Sequence, residues 1–205
     1  MPVTSMRLRI VALALLSFAL GGMAAMALFP GGRERLFSGL PSTGKALVGG
    51  PFSLVDQTGR RVTDKDFRGR YMLVYFGFTY CPDVCPSGLQ VISAALQKLG
   101  PKADRIVPIL ITVDPERDTP AQLAEYVKSF DPRLIGLTGT PQEIDAVAKA
   151  YRVYYKKVPD EKSTAGFTID HSAIIYLMGP DGSYVTHFSQ TMGVDALAER
   201  LVKVL

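Results

Sequence analysis

The stretch FGFTYCPDVCPSG, Phe76 to Gly88, decides how the chain is read. It holds the only two cysteines among 205 residues, Cys81 and Cys85, each followed directly by a proline. An apolar run, YMLVYFGF (Tyr71 to Phe78), leads into it, as expected of a strand buried on both faces. Out of it runs SGLQVISAALQKLG, with Leu89, Ile92, Leu96 and Leu99 at helical spacing and a stop at Gly100–Pro101. Pro86 disfavours the α region at Cys85 and suits a first helical position. The pattern therefore predicts a helix from Pro86 with Cys85 at its cap. Helix amides and the positive end of the dipole would then favour a thiolate on Cys85. The loop sits at the carboxyl end of a buried strand, where open α/β sheets place their sites.

Upstream, PFSLVDQTGRRVT reads as two short strands around the turn Asp56–Gly59. Downstream, IVPILITV (Ile106 to Val113) is a second buried strand. Thr119–Pro120 and Thr140–Pro141 each offer a cap followed by a proline at the first helical position. LIGLTG between them is a short strand, and RVYYKKV after the second helix is another. A polar loop, Pro159 to Asp170, is expected next. SAIIYLM, the turn GPDG and SYVTHF form a hairpin, and GVDALAERLVKVL closes as an amphipathic helix. Strands alternate with helices first, and a hairpin and helix come last. The expected fold is α/β: a thioredoxin-like mixed sheet with helices on both faces, elaborated by the N-terminal hairpin.

The N-terminus has a different character. Ile10 to Phe29, IVALALLSFALGGMAAMALF, carries no charge. Twenty apolar residues span about 30 Å as a helix, the thickness of a bilayer core. Residues 1–9, with Arg7 and Arg9, are expected to stay cytoplasmic, and 10–29 to form a single transmembrane anchor, with a cleaved signal peptide as the rival. Residues 30–50, rich in Gly, Pro and Ser, read as a linker to a domain at 51–205. That domain would lie outside the cytoplasm, in a disulfide-permissive compartment. The formal charge is +4 for the chain, and Arg7, Arg9, Arg33 and Arg35 against Glu34 put +3 of it before residue 41. The domain is thus nearly neutral, and no basic face for nucleic acid is evident.

The cysteine pair admits several chemistries. A disulfide across so few residues removes little chain entropy and is a poor staple. A dithiol redox couple is a serious reading, although the usual spacing has one residue fewer. A peroxidase reading rests only on Thr79, two residues before Cys81. His171, in TIDHSAIIYL, precedes a strand expected to neighbour the one leading to the cysteines. Two thiolates and an imidazole make a soft, three-coordinate set that matches Cu(I) and also suits Cu(II). Structural zinc wants four ligands, and an iron–sulfur cluster lacks its cysteines. His187, in YVTHF, reads as structural or surface. Asp114, at another carboxyl strand end, either shapes the turn with Pro115 or acts behind the site, orienting His171 or tuning its charge. Phe78 and Tyr80 flank the site, and Tyr154–Lys157 reads as a solvated strand face, with a partner surface as the alternative.

FGFTYCPDVCP, VDPERDTP and DHSAIIYLMGPDG, in that order, resemble the SCO/SenC family of membrane-anchored copper proteins. Met178–Gly179 departs from the acidic residue that members often carry before the Pro-x-Gly turn. The resemblance implies a thioredoxin-like domain binding one copper ion through Cys81, Cys85 and His171. It implies delivery of that copper to the dinuclear copper A centre of cytochrome c oxidase subunit II. The partners implied are that subunit, a copper donor protein and a thiol reductant. The alternative role is a thiol–disulfide oxidoreductase, with Cys81 and Cys85 as the redox-active pair. The expected location is a bacterial inner membrane with the domain in the periplasm, a mitochondrial inner membrane being the other setting.

Overall fold

The structure is a computed structural model that describes residues 13, 15, 17, 47–161, 163 and 165–205. The chain divides into two units, residues 1–44 and 45–205, and all elements below belong to the second. The segment 1–9, most of the linker and, apart from residues 13, 15 and 17, the anchor expected at 10–29 lie outside the described residues. Among the described residues no helix is long and apolar enough to cross a membrane.

Seven strands form the main sheet: β1 (Ser53–Asp56), β2 (Arg61–Thr63), β3 (Tyr71–Gly77), β4 (Ile106–Thr112), β5 (Ile135–Thr138), β8 (Ile174–Met178) and β9 (Tyr184–Ser189). Their order is β2-β1-β5-β4-β3-β8-β9. β3 and β4 lie side by side in parallel at the centre, with Tyr71 opposite Ile106 and Gly77 opposite Thr112. β4 is buried along its whole length, which is why its seven residues carry no alternation. β5 pairs with β4 in parallel, β8 with β3 antiparallel, and β9 with β8 antiparallel. The β1–β2 hairpin extends the sheet through an antiparallel β1–β5 pairing. Its turn is held by the Asp56 carboxylate, which accepts from the Thr58 and Arg60 amides, while Gly59 supplies a φ of +85°.

Helices cover both faces. Helix α1 (Val84–Leu99) crosses from β3 to β4, and α4 (Val194–Val204) packs beside it, joined by the Lys98–Asp195 ion pair. α2 (Pro120–Val127) lies over β5, where Gly136 leaves room for Leu123 and Val127. α3 (Pro141–Ala150) runs into Tyr151, whose ring meets Phe76 and Tyr176. Tyr75, the neighbour of Phe76, points to the opposite face and packs against Gly88 of α1. Strand alternation thus sends adjacent aromatic residues to the two helical layers. This is the thioredoxin-like arrangement, with β1, β2 and the β5 crossover added.

Two local expectations change. α1 begins at Val84, with Asp83 at its N-cap, so Cys85 lies in the first turn instead of at the cap. Pro86 is tolerated two positions later than expected, because first-turn N–H groups have no intrahelical carbonyl to lose. The polar loop expected over Pro159–Asp170 is shorter than that. Phe167–His171 is a strand, β7, pairing antiparallel with β6 (Tyr155–Pro159) in a separate two-stranded sheet. The short alternation of Phe167 and Ile169 with Thr168 and Asp170 is its signal, and Ile169 is buried.

Candidate metal centre

The backbone brings three donors to the carboxyl end of β3. Cys81 lies in the loop after β3 and Cys85 in the first turn of α1, both as free thiols. β8 pairs with β3 so that Ile175 faces Tyr75. Four residues earlier in the chain, His171 therefore falls just beyond the end of β3, beside the cysteine loop. Its Nε2 is 3.3 Å from Cys85 Sγ, and one ligand atom from each of the three residues lies within 4.8 Å of the others. Cys85 is fully buried, Cys81 is 7% exposed and His171 is half-buried, so the cluster opens to solvent on the Cys81–His171 side.

Close packing makes the arrangement specific. A Cβ on Gly77 would stand 3.0 Å from Cys85 Sγ, so the strand must end in glycine for this thiol to fit. His171 is edged by the Phe78 ring at 5.9 Å and by Tyr75 at 6.4 Å. Its Nδ1 faces Ser172 O at 3.2 Å. With the proton on Nδ1 donated to that carbonyl, the Nε2 lone pair is turned toward the thiols.

The electrostatics reverse the expectation for the two cysteines. The Cys85 amide donates to Cys81 Sγ at 3.4 Å, so the helix end serves Cys81. The Cys81 thiol is pushed down to about 4, first by the hydrogen bond from the Cys85 side chain, then by His171 and the amides of Cys85 and Asp83, against the cost of burial. Cys85 is pushed up, because its thiol donates a hydrogen bond to Cys81, is buried, and faces the Cys81 charge. Cys81, not Cys85, is the thiolate of the pair.

Behind the loop stands a residue that the sequence reading passed over. Asp118 is fully buried and accepts from the Thr79 amide (3.0 Å), the Thr79 hydroxyl (2.6 Å) and the Thr112 hydroxyl (2.6 Å). It ties the residue two before Cys81 to the end of β4. Burial raises its pKa, with these hydrogen bonds opposing. The hydroxyl of Thr79 is committed to this carboxylate, which leaves the peroxidase reading without its residue. Asp114 is also buried, but it does not hydrogen-bond His171. It holds the guanidinium of Arg117 through Nε, and Arg117 lies over the rings of Phe78, Tyr80 and Phe167. His187 stacks on Tyr184 on exposed β9 and takes no part in the cluster. The signal for Asp118 was present in VDPERDTP, but a carboxylate after an Asp-Pro turn reads as a loop charge until its buried partners are known.

The donor set has the dimensions of a metal site. Metal–sulfur bonds of about 2.3 Å place two sulfurs on one ion no more than about 4.6 Å apart. The three donors, within 4.8 Å of one another, meet that requirement almost without movement. Two sulfurs and one imidazole suit a soft or borderline ion and leave a hard cation without oxygen ligands.

The model of the SCO1/SenC family matches residues 41–205. The chain is 49% identical over 164 residues to the mitochondrial protein SCO1 homolog 1 of Arabidopsis thaliana, covering 80% of this chain and 48% of that one. It is 48% identical over 149 residues to the mitochondrial SCO1 homolog of Homo sapiens, covering 72% and 49%. The chain thus spans about half the length of these curated relatives. The structure of Bradyrhizobium japonicum ScoI with copper bound superposes with a TM-score of 0.70 at 49% identity, over 77% of this chain and 99% of that one.

Proposed function

The chain belongs to the SCO1/SenC family, and from that premise we propose that it is a copper chaperone, binding one copper ion through Cys81, Cys85 and His171. The delivery target is the dinuclear copper A centre of cytochrome c oxidase subunit II. The observation that carries the reading is the convergence of the three donor atoms within 4.8 Å at the open end of β3. The copper bound in the Bradyrhizobium relative supports it. Cys81 offers a thiolate at neutral pH, and Cys85 gives up its proton when it ligates, so loading releases a proton. His171 completes the set from a different strand. Handover to another thiolate site proceeds by exchange of sulfur donors, with the exposed side of Cys81 as the point of entry. Residues 10–29 anchor the domain at the outer face of a bacterial inner membrane. A copper donor protein loads it, and a thiol reductant keeps the cysteines reduced.

A second reading is favoured by the asymmetry of the thiols. A thiolate on the open side of the site beside a fully buried thiol is the arrangement of a dithiol reductase. Cys81 would attack a partner disulfide, forming a mixed disulfide and expelling one partner thiolate. Cys85 would then attack Cys81 Sγ and expel the second, leaving Cys81–Cys85 oxidised and the partner reduced. The external thiol reductant resets the pair.

The two readings separate at His171. Oxidase assembly is to be measured at limiting copper in cells carrying His171→Ala, Cys81→Ser or Cys85→Ser. Copper delivery requires all three to fail, with partial rescue by added copper. Full assembly with His171→Ala while both cysteine variants fail would replace the chaperone reading with the reductase.

A further inference from the structure

Two of the three donors ride on the β3–α1 segment, embedded in the main sheet, while His171 closes a hairpin that belongs to a separate two-stranded sheet. Something must hold that hairpin against the cysteine loop. Arg117 is a side chain that touches both. Its guanidinium carbon lies 4.3 Å from the centroid of Phe167, four residues before His171 on β7. It lies 4.8 Å from Tyr80 and 5.9 Å from Phe78, on the loop that carries Cys81. Phe78 in turn stands edge-on to the His171 ring. The guanidinium is fixed from behind by Asp114, fully buried at the end of β4, whose own amide donates to Thr112 Oγ1. A second cation, Lys157, lies 4.9 Å from the Phe167 centroid and pairs with Glu116, but both are exposed and such pairs contribute little.

We propose that Arg117 is a positioning residue for His171: anchored to the sheet by Asp114, it clamps Phe167 and Phe78 together and keeps the imidazole within reach of the thiols. The planar guanidinium is needed for this, since one flat cation must meet three aromatic rings. Lysine keeps the charge but has no flat face. The clamp acts on the histidine donor alone. A cuprous ion held by two thiolates should barely register its loss, whereas a cupric ion, which needs the imidazole, should register it strongly. This deepens the proposed copper function and rests on it for the metal part of the test.

The test uses the purified full-length protein and its Arg117→Ala, Arg117→Lys, His171→Ala and Arg117→Ala/His171→Ala variants. Amide hydrogen exchange is measured without metal, and copper(II) and copper(I) affinities by chelator competition. Arg117→Ala should speed exchange across Phe167–His171 while β3, β4 and α1 keep their protection. It should weaken Cu(II) binding about tenfold or more, the usual scale for residues behind a ligand, with Cu(I) changed less than about threefold. Arg117→Lys should restore part of the loss. In the His171→Ala background the same change should have no further effect on Cu(II), because the clamp has no ligand left to hold. Unchanged hairpin exchange overturns the proposal, as does an equal Cu(II) loss with and without His171. If Arg117→Ala fails to fold by circular dichroism, Arg117→Lys and Phe167→Leu carry the same comparison. A wild-type protein that binds no copper refutes the function proposed above, and the exchange measurement still decides the clamp.

Discussion

The backbone amide of Cys85 points at the sulfur of Cys81, 3.4 Å away. The first turn of α1 therefore stabilises charge on the cysteine that precedes the helix, and the cysteine within it keeps its proton and donates a hydrogen bond to that charge. Thiol chemistry at this site is divided between a thiolate near the surface and a thiol beneath it.

Alkylation should reveal that division. In the metal-free protein, Cys81 should react with iodoacetamide at a rate nearly independent of pH between 6 and 8. A free thiol with a pKa of about 8.5 would react about tenfold faster per unit over the same range. Cys85 in the Cys81→Ser variant should be nearly inert. Cys85→Ala, which removes the donor, should restore pH dependence to Cys81, because the largest cause of the depressed value is the Cys85 side-chain hydrogen bond. Mass-spectrometric rates across pH check all three.

The depressed Cys81 value also has a sign in stability. Its folded pKa of about 4 lies below the unfolded reference of 9.0. Its contribution is therefore fully present above the unfolded value and is lost as pH falls toward the folded one. Cys85, raised on folding, runs the other way: its contribution is fully present below the unfolded value and is lost as pH rises toward the folded one. Cys81→Ser should thus flatten the loss of stability on acidification relative to wild type. Denaturant midpoints from pH 8 to pH 4 read it directly.

Gly77 should not accept a methyl group. Alanine there places its Cβ 3.0 Å from Cys85 Sγ and 3.3 Å from the Tyr75 ring, and both neighbours are buried. Overpacking of this kind costs about 1–3 kcal/mol. Gly77→Ala should lower the urea midpoint and weaken copper binding, since the thiol must move to relieve the contact. The conservative change Gly59→Ala strains only the β1–β2 turn and should leave copper binding alone.

Asp118→Ala strands the amide and hydroxyl of Thr79 and the hydroxyl of Thr112. Unsatisfied buried groups cost about 1–3 kcal/mol each, so a loss of about 3 kcal/mol is expected. The pH signature distinguishes this carboxylate from an ordinary surface acid. Burial raises its folded pKa, so its contribution is greatest below the unfolded value of 3.8 and is lost as pH rises through the folded one. Asp118→Asn, which keeps an acceptor oxygen, should remove that dependence while costing less than alanine at neutral pH. Thermal midpoints of the two variants across pH 3 to 7 make the comparison.

The parts of the fold legible in the sequence are those set by local rules. β3 and β4 stand out because strands buried on both faces are uniformly apolar. The starts of α2 and α3 are legible because Thr119 and Thr140 do accept from the Gln122 and Glu143 amides, with proline following each. The meeting of Cys81, Cys85 and His171 was also in reach, since a strand beside β3 must deliver its leading residue to the end of β3. What escaped depends on distant partners. β7 is five residues of weak alternation that exist as a strand only against β6. Which cysteine receives the helix amide depends on where α1 begins, and one turn of loop geometry decides it. Asp118 and Arg117 read as ordinary charges until their buried neighbours are in place.

The donors are very unequally spaced along the chain: Cys81 and Cys85 are four positions apart, whereas Cys85 and His171 are separated by 86. An unfolded chain therefore still presents a dithiol but has no three-donor site. Any ion that needs the imidazole binds the native state alone and raises its melting temperature in full proportion to its affinity. An ion content with two thiolates binds both states, and part of its stabilisation cancels. The thermal shift produced by cupric and cuprous ions at matched saturation thus becomes a measure of how many residues each one uses.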